Sequence, residues 1–284
     1  MNIKKLIKNE IDYFEPILKR QANASIKERK LWRKETISER KIRISLEIYD
    51  MYAGTISYGP FKNLILDRDP WWGKEDLGGL ILGVYEKEVL KIIEKIKPGD
   101  YERFIDIGAA DGYYACGLLF SGKIKRAICF EKSLVGQKTI KKNWIKNGSP
   151  GHLTIHSEAN ETTIKKISGM GDRKTLILID IEGGEFELLS SLFIKNIAKS
   201  TIIIEVHNWV DNFLDKYVQL IHRLSKYFDI EPIKAIDRQV NSIKTLREFT
   251  DDNRLLLASE RRPCLMRFLI LTPKNLNGAQ ISKH

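Results

Sequence analysis

The run Asp106-Ile107-Gly108-Ala109-Ala110-Asp111-Gly112-Tyr113 places two carboxylates and two glycines in one short stretch. Small residues let a backbone come into contact with a ligand, and carboxylates accept hydrogen bonds from its polar groups. A third acid, Glu131, lies 19 residues past Gly112 at the end of the apolar run Ile128-Cys129-Phe130. An acid about 20 residues beyond a glycine turn is placed to receive ribose hydroxyls. Farther on, Asp180, Glu182 and Glu185 follow one apolar run, and Glu205 and His207 close the next. Carboxylates and an imidazole suit removal of a proton from a reacting hydroxyl, and histidine has the ordinary pKa best matched to neutral pH. Glu182 and Glu185 also stand at a helix start, where negative charge meets the helix dipole favourably, so a structural role competes with a chemical one.

The turn excludes two other ligand classes. Ala110 and Tyr113 occupy the second and third glycine positions of a dinucleotide-binding G-x-G-x-x-G, which disfavours a nicotinamide or flavin. No Gly-Lys-Ser/Thr follows, so the turn is not a phosphate-cradling P-loop.

The elements that must carry these residues follow from hydrophobic periodicity. Apolar, β-rich runs at Arg103–Ile107, Arg126–Phe130, Leu153–His156, Leu176–Ile181, Thr201–Val206, Tyr227–Ile236 and Cys264–Thr272 predict seven strands. Helix-length segments separate the first five, which argues for βα units and a mainly parallel sheet. Tyr85 to Ile96 reads as an amphipathic helix stopped by Pro98-Gly99. Residues 1–53 read as two or three helices, and 54–79, punctuated by glycine and proline, as a loop-rich connector. The predicted organisation is a helical extension with its connector over 1–79 and a catalytic domain over 80–284.

Three segments in order carry a family resemblance: Gly83-Val84-Tyr85-Glu86 through the Asp106–Tyr113 turn, then Asp180-Ile181-Glu182-Gly183-Gly184-Glu185, then Glu205-Val206-His207. Together they resemble the FkbM-type S-adenosylmethionine-dependent methyltransferases over about residues 80–210. The resemblance implies a class I methyltransferase fold: a Rossmann-like α/β sheet of seven mainly parallel strands with helices on both faces, the last two strands forming a closing antiparallel pair. It implies S-adenosyl-L-methionine as cofactor, with Asp106, Gly108 and Gly112 at its methionine part, Glu131 on the ribose, and Glu86, Ala109, Asp111, Tyr113 and Asp180 also among the residues that bind it. Glu158 or Asn160, just past the third strand, would meet the adenine edge. His207, Asp180, Glu182 and Glu205 are the catalytic candidates, and a hydroxyl of a sugar, glycan precursor or related metabolite is the implied acceptor. Residues 1–79 have no counterpart in the family, and Ala110-Asp111 stands where the family often has Asn.

Two competing readings rest on particular residues. Asp180, Glu205 and His207 have the types to bind a divalent ion, a possibility ranked below metal-free chemistry because such trios recur without metal. Leu64-Ile65-Leu66 followed by Asp67-Arg68-Asp69-Pro70-Trp71-Trp72 is similar to the strand and Asp-Pro-Pro-aromatic loop of nucleic-acid amino methyltransferases. The second proline is missing, and Leu176–Glu182 already fills the strand slot that loop needs. Trp71 and Trp72 therefore read as domain packing, a hydrophobic lid or an acceptor platform.

Forty-eight Lys and Arg against 37 Asp and Glu give the 284-residue chain a formal charge of +11. The excess sits in residues 1–50 and 101–150, each at +5, outside the motif-bearing strand ends. It suggests contact with an anionic surface through the N-terminal helices, a homodimer contact or a cap over the acceptor site, rather than a nucleic-acid partner. An RNA or DNA methyltransferase and a non-catalytic module of the same fold are the alternatives. No run approaches a membrane span and Met1–Lys8 leads into charged residues without an apolar signal core, which predicts a cytoplasmic protein, peripheral to a membrane at most. Cys116, Cys129 and Cys264 are too scattered for a disulfide framework or zinc site and read as small core residues.

Overall fold

A computed structural model describes residues 2–160, 162–163, 174–262, 264 and 266–274, the side chains of 16–26 excepted. Its centre is one sheet: β1 (Arg103–Ile107), β2 (Arg126–Phe130), β3 (His152–His156), β4 (Thr175–Ile179), β5 (Thr201–Val206), β6 (Phe228–Ile233) and β7 (Arg267–Pro273). The strand order is β3-β2-β1-β4-β5-β7-β6, with β7 alone running antiparallel to its neighbours. This is the class I methyltransferase architecture, a seven-stranded, mainly parallel α/β sheet. The chain winds outward from β1 to β3, then returns to lay β4 on the other side of β1. That reversal opens a crevice at the carboxyl ends of β1 and β4, the switch point where such sheets bind ligands.

Isoleucine-rich strands suit this position because both faces are covered. Along β1, β4 and β5, Phe104, Leu176, Leu178 and Ile203 join one apolar cluster, while Ile105, Ile107, Ile177, Ile179, Ile202 and Ile204 join the other. The alternation is the two-residue period of a pleated strand, here with apolar residues in both phases. By that phase Asp106 belongs to the Phe104 face.

On that face lie α2 (Ile37–Met51), α3 (Leu77–Ile81), α4 (Lys87–Lys95), α5 (Tyr113–Phe120) and α6 (Leu134–Lys146). A capping box fixes the start of α2: Thr36 receives the Glu39 N–H, and the Glu39 carboxylate receives the Thr36 N–H. Ile44 and Ile48 of α2 are fully buried in the same cluster as Phe61 and Leu64 of the following segment. A methyl group at Gly117 would stand 2.4 Å from the Phe61 ring, so only glycine lets the connector seat its phenylalanine against α5. The opposite face carries α7 (Glu185–Leu188), α8 (Ser191–Ile197) and α9 (Phe213–Leu224), and α10 (Asp251–Ala258) returns to the α2 side.

The N-terminal helix α1 (Ile3–Trp32) ends against the body through Glu28, which accepts from Arg43 and Asn253, while Ile3, Leu6, Ile7 and Ile11 near its start are exposed. No helix among the described residues is long and apolar enough to cross a membrane.

Several predicted bounds shift for local reasons. Two helices fill residues 3–51. The helix predicted over Tyr85–Ile96 begins at Lys87 because Glu86 adopts a left-handed backbone, φ 42°. The fourth strand ends at Ile179 rather than Ile181, since Glu182 and Gly183 both turn the chain with positive φ. The closing strands are Phe228–Ile233 and Arg267–Pro273, shorter and later than Tyr227–Ile236 and Cys264–Thr272, and residue 265 lies outside the described residues. Cys116 and Cys129 are buried as expected, but Cys264 is exposed, its Sγ 2.7 Å from Asn208 Oδ1.

Candidate active site

The turn after β1 is the floor of the crevice. The N–H groups of Gly108 and Ala109 both donate to the Phe130 carbonyl at the end of β2. A Cβ on Gly108, at φ +88°, would fall 1.6 Å from the Asp180 carbonyl, so the turn passes directly against the end of β4. Glu131 fastens the turn from the β2 side: one carboxylate oxygen accepts from Ala110 N–H at 2.9 Å and the other from Ser133 N–H at 2.7 Å. Each oxygen keeps a second lone pair for a ligand hydroxyl.

A cavity of about 570 Å³ opens above this floor, a size suited to a small organic ligand. Glu86, Asp106, Gly108, Ala109, Asp111, Tyr113, Glu131, Glu158, Asn160 and Asp180 all line it, so residues predicted from five separate stretches of sequence converge there. Gly112 supports the same turn from behind, its N–H donating to the Ala109 carbonyl.

Besides Asp180 Oδ1, which has only His207 Nε2 at 3.4 Å, two buried polar atoms on the wall lack a partner: Asp106 Oδ2 and the Tyr113 hydroxyl. Asp106 is 2% exposed, and burial, then the nearby Asp180 charge, pushes its carboxyl up to about 8. Burying a polar atom without a partner is unfavourable, so a cationic or donor group arriving from the cavity is what this pair is built to meet. Glu86 is likewise pushed up to about 8, by burial and by Asp180, against the opposing pull of Arg262. Its carboxylate accepts from the Tyr114 hydroxyl at 2.5 Å and pairs with Arg262 at 3.2 Å.

Asp111, on the cavity lining, also has a second task. Its two oxygens accept the backbone N–H groups of Trp71 (2.7 Å) and Trp72 (3.1 Å), pinning the tryptophan pair at the cavity mouth. The pair's rings pack at 5.5 Å, and Trp72 remains 48% exposed. Glu158 pairs with Lys132 at 2.8 Å, and Asn160 accepts from the Thr163 N–H and hydroxyl.

The four catalytic candidates form one cluster in two layers. Asp180 and Glu182 stand on the cavity wall, while Glu205 and His207 lie behind it. His207 is 1% exposed, with Nε2 at 3.4 Å from Asp180, 3.6 Å from Glu182 and 3.9 Å from Glu205. Glu185, fully buried, accepts the His207 N–H at 2.8 Å and lies 3.2 Å from Nδ1. Against the effect of burial, Asp180 and Glu185 raise the imidazole to about 9. At neutral pH the ring is thus a protonated cation inside a carboxylate cage, not the neutral base its ordinary pKa suggested. The same cage sets ligand atoms of Asp180, Glu182 and His207, and of Glu86, Asp180 and Glu205, within 4.8 Å of one another. A metal held there would have to displace the ring proton, because an imidazole ligates in its neutral form.

Arg262 is the residue the sequence did not reveal. It pairs with Glu205, with Glu86 at 3.2 Å and with Glu260 at 2.7 Å, tying the segment before β7 to the β5 end and to the start of α4. No local pattern marks an arginine whose partners lie 57 and 176 residues away. Trp209, equally unmarked, packs its ring 4.8 Å from the His207 ring.

No family model matches the chain, and the search of curated proteins found no match. Among solved structures, similarity extends to a ribosomal protein L11 methylase from Lactobacillus delbrueckii subsp. bulgaricus, at 15% identity and TM-score 0.42 over 74% of this chain and 85% of that one. A methyltransferase FkbM from Methylobacillus flagellatus KT aligns at 19% identity and TM-score 0.39, over 61% of this chain and 44% of its own. An rRNA methylase from Streptococcus thermophilus aligns at 10% identity and TM-score 0.39, over 61% and 87% respectively.

Proposed function

We propose that the protein is an S-adenosylmethionine-dependent O-methyltransferase acting on a hydroxyl of a small molecule or glycan. The carrying observation is the cavity at the β1/β4 switch point, with unpartnered Asp106 and Tyr113 atoms on one wall and Glu131 on another. Asp106 and the Tyr113 hydroxyl would hold the cofactor's amino acid end, Glu131 its ribose, and the Glu158–Asn160 stretch the edge of its base. When bound, the cofactor supplies a methyl group on a sulfonium, transferable by in-line displacement.

The chain's own part is alignment and one proton. Asp180 and Glu182 are the candidates for taking the acceptor's hydroxyl proton, because they face the cavity and His207 does not. Burial, then the Asp180 charge, raises the Glu182 carboxyl, which suits it to accepting a proton. Protonated His207 positions both carboxylates from behind and limits their mutual repulsion. Trp71 and Trp72 would cover the acceptor and exclude water.

The test is calorimetric titration with S-adenosylhomocysteine, followed by a labelled-methyl transfer screen over nucleotide sugars, glycolipids and RNA, with Glu131→Ala as control. Binding plus transfer to a hydroxyl supports the reading. Transfer to RNA alone would redirect it to nucleic acid, and absence of cofactor binding would leave the fold as a non-catalytic module.

A further inference from the structure

The mouth of the cavity has an electrostatic character that the composition does not predict. The chain carries +11, yet among the described cavity-lining residues Lys132 is the single Lys or Arg, and Glu158 pairs with it. At the β4 side, Asp180, Glu182 and Glu187 line the wall, with the imidazolium of His207 behind the first two. Arg262 pairs directly with Glu86, Glu205 and Glu260, and its charge also reaches Glu182.

The aromatic pair adds a second, independent element. Trp71 and Trp72 line the same cavity, fixed by the two hydrogen bonds to Asp111, with indole surface left open. The unpartnered Asp106 and Tyr113 atoms, both buried, face the same space. An indole face attracts cations through its quadrupole, and carboxylates beside it strengthen that preference. A phosphate or carboxylate placed about 4 Å from an acidic wall at an effective dielectric near 20 would meet repulsion of about 4 kcal/mol per charge pair. An ammonium would gain the same interaction with the opposite sign.

We propose, on the basis of the methyltransferase reading, that the acceptor bears an ammonium group beside its hydroxyl, as an amino sugar or amino alcohol does, recognised by Trp71 and Trp72 together with Asp180, Glu182 and Glu187. Anionic acceptors, nucleic acid and sugar phosphates included, are selected against by the same wall.

The experiment uses the full chain saturated with S-adenosylhomocysteine and follows tryptophan fluorescence during titration with glucosamine, N-acetylglucosamine and glucose 6-phosphate. Glucosamine is expected to bind at least about tenfold more tightly than its N-acetyl form, which keeps the hydroxyls but loses the charge, and the phosphate is expected not to compete. Glu187→Gln should weaken glucosamine about fivefold while leaving S-adenosylhomocysteine affinity unchanged, and Trp72→Ala should weaken it further. Equal or tighter binding of the N-acetyl or phosphate form overturns the proposal, as does absence of glucosamine binding by protein that holds S-adenosylhomocysteine. Failure to bind S-adenosylhomocysteine at all is a distinct result: it overturns the methyltransferase reading on which this one rests.

Discussion

Carboxylates behave in opposite ways in two regions of this molecule. In the connector, Asp67 is nearly buried, yet Lys142 and Lys146 each reach it at 2.9 Å, and against the effect of burial they hold its carboxyl down to about 2. At the cavity, Asp106 and Glu86 lie deeper, Asp106 without a cation and Glu86 with Arg262 shared among other acids, and both are pushed up to about 8. Depth of burial and the supply of cations together make the difference. Where the chain supplies its own cations, a buried acid is a fastening. Where it withholds them, the acid awaits something from outside the chain.

Breaking the cavity side should give the largest effect. Glu131→Ala removes the bracket between β2 and the glycine turn together with the proposed ribose contact, and S-adenosylhomocysteine affinity should fall about 100-fold, read by calorimetry. Breaking the fastening side should act on stability instead: Asp67→Asn should cost about 2 kcal/mol in urea unfolding, with cofactor affinity unchanged in the folded protein. Because the folded-state value lies below the ordinary one, the Asp67 contribution is fully present above about pH 4 and is lost as pH falls through about 2.

The next effect is a fraction of a proton. Asp106 at about 8 is mostly protonated at pH 7, and an ammonium docking on it favours ionisation, so S-adenosylhomocysteine binding should release protons. Titrations in two buffers of different ionisation enthalpy measure this, and equal heats would remove Asp106 from the ammonium site. The His207 imidazole sharpens the comparison, since there the cage raises a base. Its protonation stabilises the fold fully below about 6.5, and that contribution fades as pH rises through about 9. Ring resonances followed by NMR should titrate near 9, and Glu185→Gln should bring the midpoint down. The smallest effect expected is none: EDTA should leave methyl transfer unchanged, and loss of activity restored by a divalent ion would assign the Asp180, Glu182 and His207 cage to a metal.

The sheet was legible because its residues report on themselves. β-branched runs bounded by glycine and charge locate all seven strands, and the Asp106–Gly112 turn and Glu131 declare their positions by spacing alone. Bounds were missed where one residue took an unusual backbone, as Glu86 and Glu182 do. The layering of the catalytic cluster was not legible. A strand-end His207 and a turn-borne Glu182 look equivalent in sequence, and only the turn of the chain after Ile179 decides which one faces the cavity. Arg262 and the Asp111–tryptophan brackets were invisible for a simpler reason: each depends on a partner dozens of residues away, and no local period encodes it.

The seating of Phe61 against Gly117 has a consequence for how the chain is made. A single apolar cluster runs from Ile44 to Phe268, so the connector's side chains cannot finish packing when they leave the ribosome. They must wait for α5, and the cluster closes only after β7 has been synthesised. Vectorial synthesis therefore leaves Phe61, Leu64 and Leu66 without their final contacts for most of translation, an interval in which a holding chaperone would find its natural target.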